Sequence, residues 1–137
     1  MNVVLDTNIL LQAIAHNSRL RPIWNAFLNR SFDLHVTAAI LLEYEEILLQ
    51  KTSGQVAQSI LLLLENALNA HFTTIHYEWH AITVDPDDNK FFDAAVAAGA
   101  DYLVTNDRHF DQVKNLSFPK INIISSDEFL DFLSKLP

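Results

Sequence analysis

Apolar positions along the chain fall into two kinds of block, short unbroken runs and longer stretches with apolar residues three and four apart, which are the signatures of buried strands and of amphipathic helices. Asn2–Leu5 is the first short run and predicts a strand. Asp6-Thr7-Asn8 closes it with residues that favour turns and helix caps, so a helix is expected over 9–15. After the polar His16-Asn17-Ser18, Pro22 suits the first turn of a second helix carrying Ile23, Trp24, Phe27 and Leu28. Residues 34–36 read as a strand. Thr37 then caps a helix over Ala38–Lys51 whose apolar stripe is Ile40, Leu41, Tyr44, Ile47 and Leu48. On a helical wheel Glu43 lies at the border of that stripe while Glu45 and Glu46 point further toward solvent, so Glu43 is the acid expected to enter a cleft.

Ser53-Gly54 punctuates the chain before a leucine-rich helix over 55–68, read as packing against the core or another subunit. A short strand at 72–75 follows. A loop past Pro86 leads into a small-residue helix ended by Gly99, then a continuous apolar strand, Tyr102–Val104, of the parallel-sheet kind. One or two helical turns over 108–114, a strand over 121–124, and a terminal helix opened by Ser125-Ser126-Asp127-Glu128 complete the chain. Strands alternating with helices predict a three-layer α/β/α sandwich with a mainly parallel sheet, in which ligands bind beyond the carboxyl ends of the strands.

The 137 residues fit one domain, residues 1–137, and half of them are hydrophobic, which excludes disorder. The formal charge of −8 argues against holding nucleic acid through a broad basic surface; if the chain handles nucleic acid, a metal ion must help. With no cysteine there is neither a disulfide framework nor a thiolate zinc site. Met1 leads straight into an apolar strand with no signal-peptide pattern, and no apolar run approaches the ~20 residues a membrane span needs, so a cytoplasmic protein without membrane contact is expected.

Candidate chemistry concentrates in 85–107, Asp-Pro-Asp-Asp-Asn-Lys-Phe-Phe-Asp-Ala-Ala-Val-Ala-Ala-Gly-Ala-Asp-Tyr-Leu-Val-Thr-Asn-Asp. Asp93 stands among apolar residues from Phe91 to Ala98. An ionised carboxylate buried there needs a cation, a donor or a proton, and a divalent metal resolves the surplus of negative charge from Asp85, Asp87, Asp88 and Asp107. Asp6, Glu43, Asp93 and Asp107 are far apart in sequence but all fall near strand ends, where one edge can gather them. His76 and His80 have no third ligand beside them, so zinc is disfavoured.

At these residues the chain resembles the PIN domain, a nuclease fold found in the toxins of bacterial toxin–antitoxin pairs and in eukaryotic RNA-processing nucleases. The resemblance rests on Val-Leu-Asp-Thr-Asn at the start, an acid in a central helix, Asp-Pro-Asp-Asp-Asn-Lys-Phe-Phe-Asp-Ala-Ala, and Ala-Asp-Tyr-Leu-Val-Thr-Asn-Asp. It implies that Asp6, Glu43, Asp93 and Asp107 hold magnesium or manganese and hydrolyse RNA, with Thr7, Asn8, Thr105 and Asn106 as supporting donors. Members of this branch often carry the third acid in the Asp-Asp-Asn element, so Asp88 stands beside Asp93 for that role. Metal-assisted hydrolysis leaving a 5′-phosphate needs no side-chain nucleophile. The resemblance further implies a small antitoxin partner, and the leucine-rich helices suggest a homodimer. Two other readings stand beside this one: a catalytically silent interaction or RNA-binding module of the same fold, and a phosphohydrolase with Asp6 as nucleophile, for which Asn8 occupies the place of a second acid.

Overall fold

In the computed structural model, which describes residues 1–137, the short apolar runs become a five-stranded sheet of order β3-β2-β1-β4-β5, parallel throughout. The strands are β1 (Asn2–Leu5), β2 (Asp33–Val36), β3 (Ala70–Phe72), β4 (Tyr102–Val104) and β5 (Ile123–Ile124). Val3, Val4 and Leu5 pair with Tyr102, Leu103 and Val104, and all of these but the partly exposed Tyr102 are buried because helices cover the sheet on both sides. The helices are α1 (Thr7–Ile14), α2 (Arg21–Leu28), α3 (Ala38–Lys51), α4 (Gly54–Asn66), α5 (Asn89–Ala98) and α6 (Ser126–Ser134). Helix α1 packs on α2 and α3, and α2 on α6, whereas α5 lies across β1, β2 and β4.

The expected punctuation is used. Thr37 and Ser53 accept the backbone N–H of Ile40 and Val56, Ser125 and Glu128 form a reciprocal capping box, and Gly99 takes the left-handed conformation that ends α5. Several expected boundaries shift. Helix α4 stops at Asn66, and the third strand is 70–72 rather than 72–75, because the Asn69 side-chain amide donates to Phe27 O and Phe32 O, both at 2.9 Å, and fixes where the chain enters the sheet. The last strand is trimmed to Ile123–Ile124.

Successive strands β1, β2 and β3 step one way across the sheet, and β4 then returns to the far side of β1. Between β1 and β4 the connections diverge, which opens a crevice at their carboxyl ends. The loop 73–85 that crosses back toward this edge has few ladder bonds. Side chains satisfy its backbone instead: Asp93 accepts from Trp79 N, Asn89 exchanges two bonds of 2.9 Å with Ile82, and Gln112 accepts from Thr83 N and Val84 N.

Candidate metal centre

Asp6 follows β1 and Asp107 follows β4, so the two strands flanking the crevice each deliver an acid to it. The Asp6 backbone continues the sheet, its N–H donating to Val104 O at 3.0 Å. Asp6 is also the N-cap of α1, yet its side chain does not cap that helix. The carboxylate takes the Thr105 hydroxyl at 2.7 Å instead, and Thr105 Oγ1 in turn accepts the Asp107 N–H at 3.0 Å, so one threonine fixes both acids. Burial pushes the Asp6 carboxyl above its ordinary range; Thr105 and the Thr7 N–H oppose this, while Asp107 and Glu43 add to it.

Asp88 is the third acid of the group. It precedes α5 as N-cap, again without capping through its side chain. Burial raises its pKa to about 6; a hydrogen bond from His109 opposes the rise, and the charges of Asp107, Asp85 and Asp6 reinforce it. His109 Nδ1 lies 3.1 Å from Asp88, 3.3 Å from Asp107 and 3.5 Å from Asp85, and Asp88, raises the imidazole pKa first through its hydrogen bond. Asp85, Asp88 and His109 present ligand atoms within 4.8 Å of one another. His109 and this role of Asp85 escape sequence reasoning, since they depend on how the loop 73–85 folds onto the turn at Arg108–Val113. The only local hint is a histidine two residues beyond Asp107.

Glu43 reaches the same edge because Tyr44, its fully buried neighbour, donates its hydroxyl to Leu5 O at 2.5 Å and ties α3 to the end of β1. Both Glu43 oxygens are engaged, one by the Thr7 hydroxyl and the other by Lys90 Nζ at 2.7 Å. Lys90 also lies 3.3 Å from Asp87. Burial pulls the Lys90 ammonium down, but Glu43 and Asp87 outweigh it and hold it above its usual value.

Asp93 does not join this group. Although only 5% exposed, it lies on another face of α5, where Oδ1 accepts from Trp79 N at 3.1 Å. Burial raises its pKa, the Trp79 bond opposes that, and the nearby charges are Glu78 and His80 rather than any acid of the crevice. The structure therefore brings together Asp6, Glu43, Asp88 and Asp107 and leaves Asp93 apart, because five residues along a helix turn a side chain through roughly 140°. Among the expected supporting donors, Thr7 and Thr105 serve the acids directly. Asn8 is exposed beside Asp6 in a concavity of about 210 Å³ that Asn106 and Asp107 also line. The Asn106 side chain is committed to α6, exchanging bonds of 2.9 Å with Ser126 Oγ and Ser126 N.

The donor set, carboxylates with one imidazole, fits a hard divalent cation. So does the charge balance, since Asp6 and Asp88 are both held above their ordinary pKa and the one nearby lysine is already paired. A sequence profile for the PIN domain matches residues 2–109. The chain belongs to the PIN domain family. PIN domains are in general nucleases that use divalent metal ions. Similar solved structures include VapBC2 from Rickettsia felis, bound to a DNA fragment from its promoter, at 17% identity and a TM-score of 0.62, covering 91% of this PIN domain chain and 98% of the other. FitAcB from Neisseria gonorrhoeae is similar at 14% identity and a TM-score of 0.58, covering 90% and 97%. These likenesses show the fold. Among proteins with curated descriptions none matches the chain by sequence.

Proposed function

We propose that this PIN domain is a magnesium- or manganese-dependent endoribonuclease, with Asp6, Asp88 and Asp107 holding the ion and Glu43 positioned behind them by Thr7 and Lys90. The observation that carries the reading is the pair of N-cap aspartates, Asp6 and Asp88, whose carboxylates are withheld from their helices and turned to one crevice at the ends of β1 and β4. An ion bound there would supply a water activated for attack and a positive charge opposite the scissile phosphate. The chain's own residues do the rest. Thr105 donates to the Asp6 carboxylate and accepts the Asp107 backbone N–H, and His109 Nδ1 lies 3.1 Å from the Asp88 carboxylate. Lys90 neutralises Glu43 without entering the group of acids.

The silent-module reading would have the acids retained for stability. The raised pKa values of Asp6 and Asp88 support the opposite view, because carboxylates held above their ordinary range oppose folding at neutral pH unless a cation arrives. The test is cleavage of single-stranded and hairpin RNA by purified protein with manganese, against EDTA and the Asp6→Asn variant. No cleavage of any RNA with either ion, alongside a manganese-independent melting temperature, would refute the reading.

The likeness to VapBC2 and FitAcB, joined to exposed Leu42, Leu49 and Leu62 on α3 and α4, supports a toxin role with a small antitoxin covering that apolar face, and a homodimer. The toxin reading carries with it action in the cytoplasm; no helix is long and apolar enough to cross a membrane.

A further inference from the structure

Three aromatic rings stand at the surface on the outer side of α5: Tyr77 and Trp79 in the loop 73–85, and Phe118 in the segment before β5. Tyr77 is 65% and Phe118 77% exposed, whereas Trp79 is half-buried between them, with ring centroids 4.7 Å from Tyr77 and 5.7 Å from Phe118. Both contacts are edge-to-face, so the outer rings keep a face in water. The loop that carries two of the three rings is also fixed. Asp93 holds the Trp79 backbone N–H, and Gln112 clamps the same loop at Thr83 and Val84. Here the buried acid that lies outside the metal group has its place, as the anchor of the central ring.

The strip and the candidate metal centre draw on the same two elements, the loop 73–85 and α5. The loop that carries Tyr77 and Trp79 ends at Asp85, beside Asp88 and His109, and Asp93 is about 7.5 Å along α5 from Asp88. Charge agrees with this direction. Most of this acidic surface repels phosphate, but Arg108 and Lys120, both exposed, make no ion pair, in contrast to Lys90 and Lys114. Arg108 follows Asp107 directly, and Lys120 is two residues beyond Phe118.

We propose that Tyr77, Trp79 and Phe118 form a stacking platform for unpaired bases of the RNA strand that enters the metal centre, with the unpaired Arg108 and Lys120 free to meet its phosphates. The proposal rests on the nuclease reading and adds how the strand is held. A chain of net charge −8 cannot grip RNA through phosphates alone; aromatic faces bind bases whatever their sequence and draw little on charge. Double-stranded RNA hides its base faces, so the platform selects single strands and loops.

The test is the fluorescence of Trp79, with buried Trp24 as a constant background, during titration with a 2′-O-methyl oligouridine of about 12 nucleotides in EDTA, which prevents cleavage. Saturable quenching by the single strand, much weaker with a blunt duplex of the same length, is expected. Tyr77→Ala and Phe118→Ala should each weaken binding roughly tenfold, with exposed Leu136→Ala near the C-terminus as an unaffected control and Phe118→Trp restoring affinity. Both alanine variants replace exposed side chains, and unchanged melting temperatures separate lost stacking from lost fold. Quenching that is absent, or equal for duplex, overturns the platform, as does emission that shifts with protein concentration alone, which assigns the strip to a second copy of the chain. If the Tyr77→Ala/Phe118→Ala protein cleaves RNA with an unchanged KM, the platform falls and the nuclease reading stands. If the parent binds and quenches yet cleaves nothing with manganese, the platform survives and the nuclease reading falls.

Discussion

Asp88 and Asp93 belong to the same short stretch of chain, one at the head of α5 and the other in its second turn, and they meet opposite fates. Asp88 faces Asp6, Asp85 and Asp107 with a single imidazole between them, and its pKa rises to about 6. Asp93 is more deeply covered, but it faces a backbone N–H and no crowd of like charges. Burial alone thus does not place an acid in the group at the crevice. What distinguishes the two is whether the neighbours leave negative charge unanswered, and only the head of the helix does.

The strongest way to break this comparison is catalytic. Asp88→Asn should lower manganese-dependent RNA cleavage at least about a hundredfold, whereas Asp93→Asn, which keeps an oxygen for Trp79 N, should stay within a few-fold of the parent. Single-turnover rates on one RNA substrate measure both. Equal losses would return Asp93 to the centre.

Stability should separate them in sign. Without metal at pH 7, Asp88→Asn should raise the melting temperature by a few degrees, since a carboxylate raised from 3.8 to about 6 opposes folding by up to about 3 kcal/mol before solvent screening. Asp93→Ala should lower it, because the Trp79 N–H loses its acceptor at a cost of about 1–3 kcal/mol. Thermal melts of the three proteins in EDTA decide the matter.

The pH dependence follows from the same shift. Between roughly pH 4 and 6 the folded chain holds a proton at Asp88 that the unfolded chain has released, so this group's contribution to stability falls as pH rises through that window and stays low above it. Melts in EDTA should show this component in the parent and lack it in Asp88→Asn. Manganese at a hundred times its dissociation constant should add about 2.7 kcal/mol to the parent at pH 7 and much less to the variant.

The smallest effect concerns the lysine. Lys90→Met should lower metal-free stability by about 0.5–1.5 kcal/mol through loss of the half-buried pair with Glu43, and enlarge the manganese-induced melting shift, because one repelling cation has gone. Denaturant titration with and without manganese reads both changes.

The parts of the centre that the sequence displays are those set by strand ends. Asp6 and Asp107 are legible because each terminates an apolar run that must lie in a parallel sheet, and Glu43 because its place on the helical wheel borders a buried stripe. Asp93 misleads for an equally physical reason. An acid among phenylalanines and alanines advertises burial but not its partner, and that partner is the backbone of an irregular loop with no periodicity to read. Asp85 and His109 stay hidden behind the same loop. Asn106, expected among the donors, is drawn away by Ser126, a neighbour supplied only when α6 returns to the end of β4.

The hydrogen bond from Asp6 N–H to Val104 O, which continues the ladder between the two central strands, has a consequence for exchange with solvent. That amide can exchange only when the sheet itself comes apart, so its protection should approach that of global unfolding. The amides of Thr83 and Val84, held by one exposed glutamine side chain, should exchange through brief local openings. One wall of the crevice should thereby prove as durable as the core, while the wall bearing Asp85 should open and close on a faster clock. Deuterium uptake in the loop should slow when manganese is added, with Asp6 little changed.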